Sequence, residues 1–220
     1  MLTVAILPMK TLDSAKQRLA PQLLPGQRRV LAEAMLADTL VALRRTAAIS
    51  RVLVVTADRN AAMIADGDGA SVVEDSGRSH SEAALLGIQA ALELQADRVL
   101  LVPGDCPMIT PNELQGLLAR PASGRSAVVV PDRHGAGTNA LLLSPPDALT
   151  PAFGPGSRQR HLELARAQGA LAEVVEVPSL GLDIDTPEDL QELSQRLKVT
   201  HGGAAHTRGM LNQLVRSQTA

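Results

Sequence analysis

The sequence predicts a single-domain α/β fold, a mostly parallel but mixed sheet with helices on both faces. Two observations carry this. Short, wholly apolar runs of strand length alternate with stretches whose apolar residues recur at helical spacing, the pattern of a sheet buried on both faces. Two of these runs, Ala127 to Val130 and Ala140 to Leu143, are separated by little more than a Gly-rich turn at His134 to Gly137. That is too short for a crossover between parallel neighbours, so the sheet is mixed.

The elements follow in order. Leu2 to Leu7 is a continuous apolar run closed by Pro8, which suits a buried strand. Ala32, Leu36, Leu40, Leu43 and Ala47 mark a helix, and Arg51 to Thr56 a second buried strand. A short helix is expected over Asn60 to Ala65 and a short strand over Ser71 to Glu74. Leu85, Ile88 and Leu92 share one face of a helix from about Ser81 to Gln95. Arg98 to Val102 reads as a strand and Pro111 to Ala119 as a helix. Beyond the hairpin, Arg158 to Gln168 is helical, Ala172 to Val177 extended, and Leu190, Leu193 and Leu197 line a closing helix. The domain is expected over residues 1–197. Residues 198–220 are polar and small, and read as a flexible C-terminal extension with at most a helical turn around Met210, Leu211, Leu214 and Val215.

Composition narrows the function classes. At 220 residues with 45% hydrophobic content, the chain builds one full core. It has one Phe and neither Tyr nor Trp, so it lacks the stacking platforms of single-stranded nucleic-acid binders. A net charge of −2 gives no broad field to draw nucleic acid or acidic membrane. The lone Cys106 excludes a disulfide framework or a Cys-rich metal site. No run reaches membrane-spanning length and the first residues lack a basic leader, so a soluble, cytoplasmic protein is expected. The five histidines have no zinc spacing, and each reads as a surface residue.

The most informative feature is a repeated arrangement. Val99 to Asp105 is an apolar run ending in an acid, followed by Thr110-Pro111-Asn112-Glu113. Leu182-Asp183-Ile184-Asp185 is followed at once by Thr186-Pro187-Glu188-Asp189. Thr as N-cap, Pro at the first helical position and an acid three residues on form a capping box in each. Capping does not account for Asp105, Asp183 and Asp185. These are either ordinary turn residues or oxygen ligands at the carboxyl edge of the sheet, where open α/β folds bind ligands. With no His or Cys beside them, such ligands select Mg²⁺ or Mn²⁺.

Several loops could hold anions. The loop after the first run contains Lys10 and Lys16, two of the three lysines in the chain, with Arg18 close behind. It is either a solvated basic loop or a polyphosphate contact. No P-loop motif exists, and Gly67-Asp68-Gly69 precedes a strand rather than following one, which rules out a dinucleotide fingerprint. Asp75 to Glu82 joins a strand to a helix through Gly77, Ser79 and Ser81, either as a plain capped turn or as a backbone cradle. Thr138 and Asn139 follow the second Gly-rich turn. Gly154, Gly156 and Ser157 precede a helix whose first turn carries Arg158 and Arg160. Either place could take a small phosphate- or carboxylate-bearing substrate.

Together these residues resemble the nucleotidyltransferases of the GT-A-like (nucleotide-diphospho-sugar-transferase) type. More closely, they resemble the 2-phospho-L-lactate/phosphoenolpyruvate guanylyltransferase family of coenzyme F(420) biosynthesis. The resemblance runs from Leu2 to about Leu197. Its markers are Pro8-x-Lys10, Lys16-x-Arg18-Leu19, Pro103-Gly104-Asp105-x-Pro107, Gly137-Thr138-Asn139, Phe153-Gly154-x-x-Ser157 and Asp183-x-Asp185-Thr186-Pro187. One turn departs from it: Ser79-His80-Ser81 stands where the family has Gly-Leu-Asn, which leaves base preference open.

The resemblance implies an enzyme that joins the GMP moiety of GTP to phosphoenolpyruvate, 2-phospho-L-lactate or 3-phosphoglycerate, with release of pyrophosphate. Asp105, Asp183 and Asp185 would bind Mg²⁺ and act with Lys10 and Lys16 in catalysis. Lys10, Lys16, Arg18, Gly77, Ser79 and Ser81 would bind the nucleotide, and Thr138, Gly154 and Ser157 the three-carbon acid. The partners expected are GTP, that acid and a downstream transferase consuming the product. The alternatives are a sugar-phosphate or molybdenum-cofactor nucleotidyltransferase, a metal-dependent glycosyltransferase and a non-catalytic nucleotide-binding regulator.

Overall fold

The computed structural model describes residues 1–12, 15–75, 79–120 and 124–218. Seven strands form one sheet: β1 (Thr3–Pro8), β2 (Arg51–Thr56), β3 (Ser71–Glu74), β4 (Arg98–Leu101), β5 (Ser126–Pro131), β6 (Thr138–Ser144) and β7 (Leu171–Val174). Their spatial order is β3-β2-β1-β4-β6-β5-β7. All run parallel except β6, which is antiparallel to both β4 and β5. The short β5–β6 connection enforces that reversal. Seven α-helices accompany the strands among the described residues: α1 (Pro25–Arg44), α2 (Arg59–Gly67), α3 (His80–Glu93), α4 (Pro111–Leu118), α5 (Ser157–Ala167), α6 (Pro187–Val199) and α7 (Ala205–Gln218).

The continuous apolar strands are explained by burial on both faces. In β1, Ala5 and Leu7 face α1, α2 and α4, packing with Leu36, Leu40, Ala61 and Leu114. Val4 and Ile6 point the other way, toward Ala84, Ile88 and Ala91 of α3 and Ala165 of α5. This two-residue alternation repeats in β2, β4, β5 and β6. The approach of α3 requires Gly87, where an added Cβ would lie 2.3 Å from Ile6 Cγ2.

A third cluster lies behind α1. Leu31 and Met35 pack with Leu182 and Ile184, with Leu190, Leu193 and Leu197 of α6, and with Met210 of α7. The chain after Lys198 is therefore not a loose extension. Gly202, Gly203 and Ala204 adopt positive φ and reverse its direction. Asp38 of α1 then accepts hydrogen bonds from the first free amides of α7, His206 N at 3.0 Å and Thr207 N at 2.8 Å. The cap comes from a helix far back in the chain, so the tail itself carries no local signal for it.

α1 also starts earlier than its apolar spacing suggests, at Pro25. Gln27 Oε1 accepts from Leu24 N at 2.9 Å.

Candidate active site

The carboxyl ends of β1 and β4 open onto a cleft of about 540 Å³. Its walls include Lys10, Lys16, Ser79, Ser81, Asp105, Gly154 and Asp185, so residues expected to serve nucleotide, metal and acid meet in one place. The remaining candidates flank it. Arg18 lies close enough to Asp185 to act on it electrostatically. Asp183 is tied to Asn139 at the start of β6. Thr138 and Ser157 sit in the adjoining hairpin and helix start. Gly77 lies outside the described residues.

Lys16 is the centre of the cleft. It takes a left-handed backbone conformation (φ 57°) ahead of a 3₁₀ turn over Gln17–Leu19, and its side chain is only 7% exposed. Its Nζ donates to Asp105 Oδ2 at 2.5 Å and to Asp185 Oδ1 at 2.9 Å. Burial opposes the ammonium charge, but Asp105 and Asp185 outweigh it and hold the lysine pKa above its ordinary value. Burial likewise opposes ionisation of Asp185. There Lys16, with Arg18, wins and keeps the carboxyl below its usual range.

Asp183 behaves differently. Burial first, and then the Asp105 charge, push its pKa up, although Asn139 Nδ2 donates to it at 3.1 Å. Asn139 also donates to Leu180 O at 2.7 Å, and Ile184 N donates to Asp105 O at 3.2 Å. These bonds hold the 183–185 strip against the end of β4.

A cation thus already bridges two of the three acids, and it is a lysine. Among the described residues, no three His, Cys, Asp or Glu side chains are spaced to enclose one ion. The three-carboxylate cage anticipated from the sequence is not formed by the protein alone. What remains fits a shared ion. Among the described residues, Asp105 Oδ1 is buried with no hydrogen-bond partner, burial and the Asp105 charge disfavour a bare carboxylate at Asp183, and all three acids offer oxygen. Mg²⁺ commonly takes one or two carboxylates and completes its shell with water and substrate phosphates.

The two Thr-Pro turns differ in detail. At α6 the capping box is complete: Thr186 Oγ1 accepts from Asp189 N at 3.3 Å, and Asp189 Oδ2 accepts from Thr186 N at 2.7 Å. Asp189 also pairs with Arg133 at 2.5 Å. At α4, Thr110 caps Glu113 N at 3.3 Å, and the Glu113 carboxylate accepts from the Thr110 hydroxyl at 2.7 Å and from Ser179 N at 3.2 Å rather than from the Thr110 amide. Only one of the two expected boxes closes.

The residues expected to take the acid lie on the β5–β6 hairpin and around the loop before α5. Asp132 accepts from Ala136 N and Gly137 N, both at 3.0 Å, folding the Gly-rich turn tightly. Gly154 has φ 116°, and Gly156, at φ 70°, caps α5. Ser157 is buried and its Oγ has no partner. Ser81 Oγ accepts from Phe153 N at 3.0 Å, joining the loop before α3 to the loop before α5. Ser79 caps α3, accepting from Glu82 N at 3.1 Å.

His161, expected at the surface, is fully buried. It contacts Thr138 Oγ1 at 3.0 Å and Ala152 N at 2.9 Å. The lone Phe153 stands edge-on between His80, centroids 4.9 Å apart, and His161, 5.1 Å apart. The sequence signal that could have pointed to His161 is its place one helical turn after Ser157. Cys106 is buried and its thiol pKa is raised well above the usual value by burial, which leaves it inert.

The guanylyl transferase CofC-like family model matches residues 3–218. The chain belongs to that family. It is 50% identical over 219 residues to a phosphoenolpyruvate guanylyltransferase of Conexibacter woesei, covering 99% of this chain and 98% of that protein. It is 35% identical over 214 residues to a 2-phospho-L-lactate guanylyltransferase of Methanothermobacter thermautotrophicus, covering 97% and 92%. Among solved structures, a cytidylyltransferase from Leptospira borgpetersenii superposes with a TM-score of 0.61 at 17% identity, covering 100% of this chain and 96% of that one. The two chains share a fold. The family match extends through α7, consistent with a helix packed onto the domain. No described helix is long and apolar enough to cross a membrane.

Proposed function

We propose that this guanylyl transferase family member transfers the GMP moiety of GTP to a small phosphorylated three-carbon acid. Phosphoenolpyruvate is the first candidate, with 2-phospho-L-lactate and 3-phosphoglycerate beside it. The observation that carries the reading is Lys16 held between Asp105 and Asp185, where the cationic loop meets the turn after β4 and the segment before α6. The 50% identical relative favours phosphoenolpyruvate.

A phosphate oxygen of the acid attacks the α-phosphorus of GTP. The new P–O bond forms as the bond to the β-phosphate oxygen breaks, and pyrophosphate leaves. The nucleophile is already anionic, so no general base is needed. Catalysis comes from positioning and charge neutralisation. Lys10, Lys16 and Arg18 bind the triphosphate, and Gly77, Ser79 and Ser81 complete the nucleotide site. Thr138, Gly154 and Ser157 bind the acid. Asp105, Asp183 and Asp185 would hold Mg²⁺ or Mn²⁺ together with the nucleotide phosphates. When bound, the ion neutralises charge on the transferring group. The protein acts in the cytoplasm, and its guanylylated diphosphate passes to a downstream transferase in coenzyme F(420) assembly.

Pyrophosphate release tests this. The purified protein with Mg²⁺ is given GTP with each of the three acids, and then ATP or CTP with the best acid. Release with GTP and phosphoenolpyruvate is expected. Release of free nucleoside diphosphate from a nucleotide-sugar supplied in place of GTP would indicate a glycosyltransferase, and no turnover with any pair would indicate a nucleotide-binding regulator.

A further inference from the structure

The ring of His161 is fixed on several sides. Ala152 N donates to Nε2 at 2.9 Å, so that nitrogen presents a lone pair. In a neutral imidazole the proton then sits on Nδ1. Nδ1 is 3.0 Å from Thr138 Oγ1, and it donates there. Phe153, at 5.1 Å and an interplanar angle of 77°, packs against the ring. Burial, with help from Arg160, lowers the pKa to about 4, so the ring stays neutral at physiological pH.

The geometry points to His161 as a positioning residue for the acceptor substrate: it orients the Thr138 hydroxyl so that its proton is offered to an anionic oxygen of the phospho-acid. This rests on the function proposed above. A hydroxyl has a single proton. Once a lone pair of Thr138 is engaged by Nδ1–H, the proton must point elsewhere, and among the described residues nothing accepts it. The opposite tautomer would draw that proton toward His161 and leave lone pairs facing the anion. The fixed tautomer therefore sets the sign of the Thr138–substrate interaction. A second observation lies beside it: Ser157 Oγ, one turn earlier on α5, is buried and has no partner among the described residues. His161 does not itself meet the substrate; it acts through Thr138.

The test compares His161→Phe, His161→Asn and Thr138→Val in steady-state assays varying each substrate, with calorimetric binding of phosphoenolpyruvate alongside. Phe keeps the ring and removes both nitrogens, whereas the Asn amide can restore a donor near Nδ1. Loss of one hydrogen bond to a charged oxygen should raise KM for the acid about tenfold in His161→Phe. KM for GTP should stay within about twofold, the signature of a loss confined to one substrate. His161→Asn should recover most of the difference. The His161→Phe/Thr138→Val pair should be no worse than Thr138→Val alone, because both changes remove one interaction. Unchanged KM for the acid in His161→Phe would overturn the inference. So would equal loss for both substrates, no rescue by Asn, or additive effects. A wild-type protein that neither turns over nor binds any phospho-acid overturns the functional reading and this inference together, whereas an active wild type with an unaffected His161→Phe overturns the inference alone.

Discussion

Lys16 and Asp105 lie 89 positions apart in the chain and meet at 2.5 Å, Nζ to Oδ2, with Asp185 Oδ1 on the same ammonium at 2.9 Å. One buried cation thereby pins the loop after β1 to the turn after β4 and to the segment before α6. Under the proposed function the same cation receives the triphosphate, so substrate binding and site assembly would draw on one residue.

Lys16→Met separates these roles. Turnover should fall at least about 100-fold, the scale for removing a charge that stabilises the transferring group. Asp105 and Asp185 are partly exposed, which screens them, so the stability loss should be only about 1–2 kcal/mol. With their counter-ion gone, added Mg²⁺ should raise Tm more in the variant than in the wild type. Thermal melts with and without Mg²⁺ check this, and an equal response would break the link between Lys16 and a divalent ion.

Asp183→Asn should lose turnover by about 100-fold or more on the same ground while leaving the fold intact. The carboxylate is held against burial and the Asp105 charge, so a neutral isostere relieves a cost, and Asn139 still finds an acceptor. Tm should be equal or higher. Urea melts and pyrophosphate assays separate the effects, and unchanged activity would remove Asp183 from the site.

His161 gives a pH signature with a defined sign. Its pKa falls from an ordinary 6.5 to about 4 in the folded protein, so below pH 6.5 the unfolded chain takes up a proton that the native state refuses. The stability from this site is fully present above pH 6.5 and declines as pH falls toward 4, by up to about 3 kcal/mol. His161→Asn should flatten that part of the profile, measured as unfolding free energy at pH 7 and pH 4. Identical slopes would mean that the ring titrates normally.

Asp38→Ala removes the distant cap of α7. Losing two charge-assisted bonds to helix amides should cost about 1–2 kcal/mol, concentrated in the last helix. Amide exchange should accelerate over 205–218, with little change in the sheet. Uniform acceleration would show that α7 is inseparable from the core.

The sequence-to-structure comparison divides along a physical line. Elements encoded locally were readable: the alternating apolar runs, the Thr186-Pro187 cap with Asp189, and the reversal forced by a short hairpin. Features that need a distant partner were not. Glu113 has the same spacing from its Thr as Asp189, yet it is drawn to Ser179. The tail reads as unpatterned because Asp38 supplies its cap and α1 supplies its apolar surface. His161 looks like any polar helix residue until Ala152 and Thr138 close around it. The acids were visible as a group, but the lysine between Asp105 and Asp185 was not, because its partners lie 89 and 169 positions away.

The reversed strand β6 carries a consequence of its own. Parallel strands deliver their last residues to the sheet edge that carries the cleft, whereas β6 delivers its first, Thr138. Under the proposed function, the two reactants would therefore be gripped by chain segments of opposite polarity, the nucleotide in the crossovers of β1 and β4 and the acid on a surface hairpin and the loop ahead of α5. A change in length between Asp132 and Gly137 would then reshape one grip without touching the other. On that reading the fold lets acceptor choice drift while the nucleotide chemistry stays fixed.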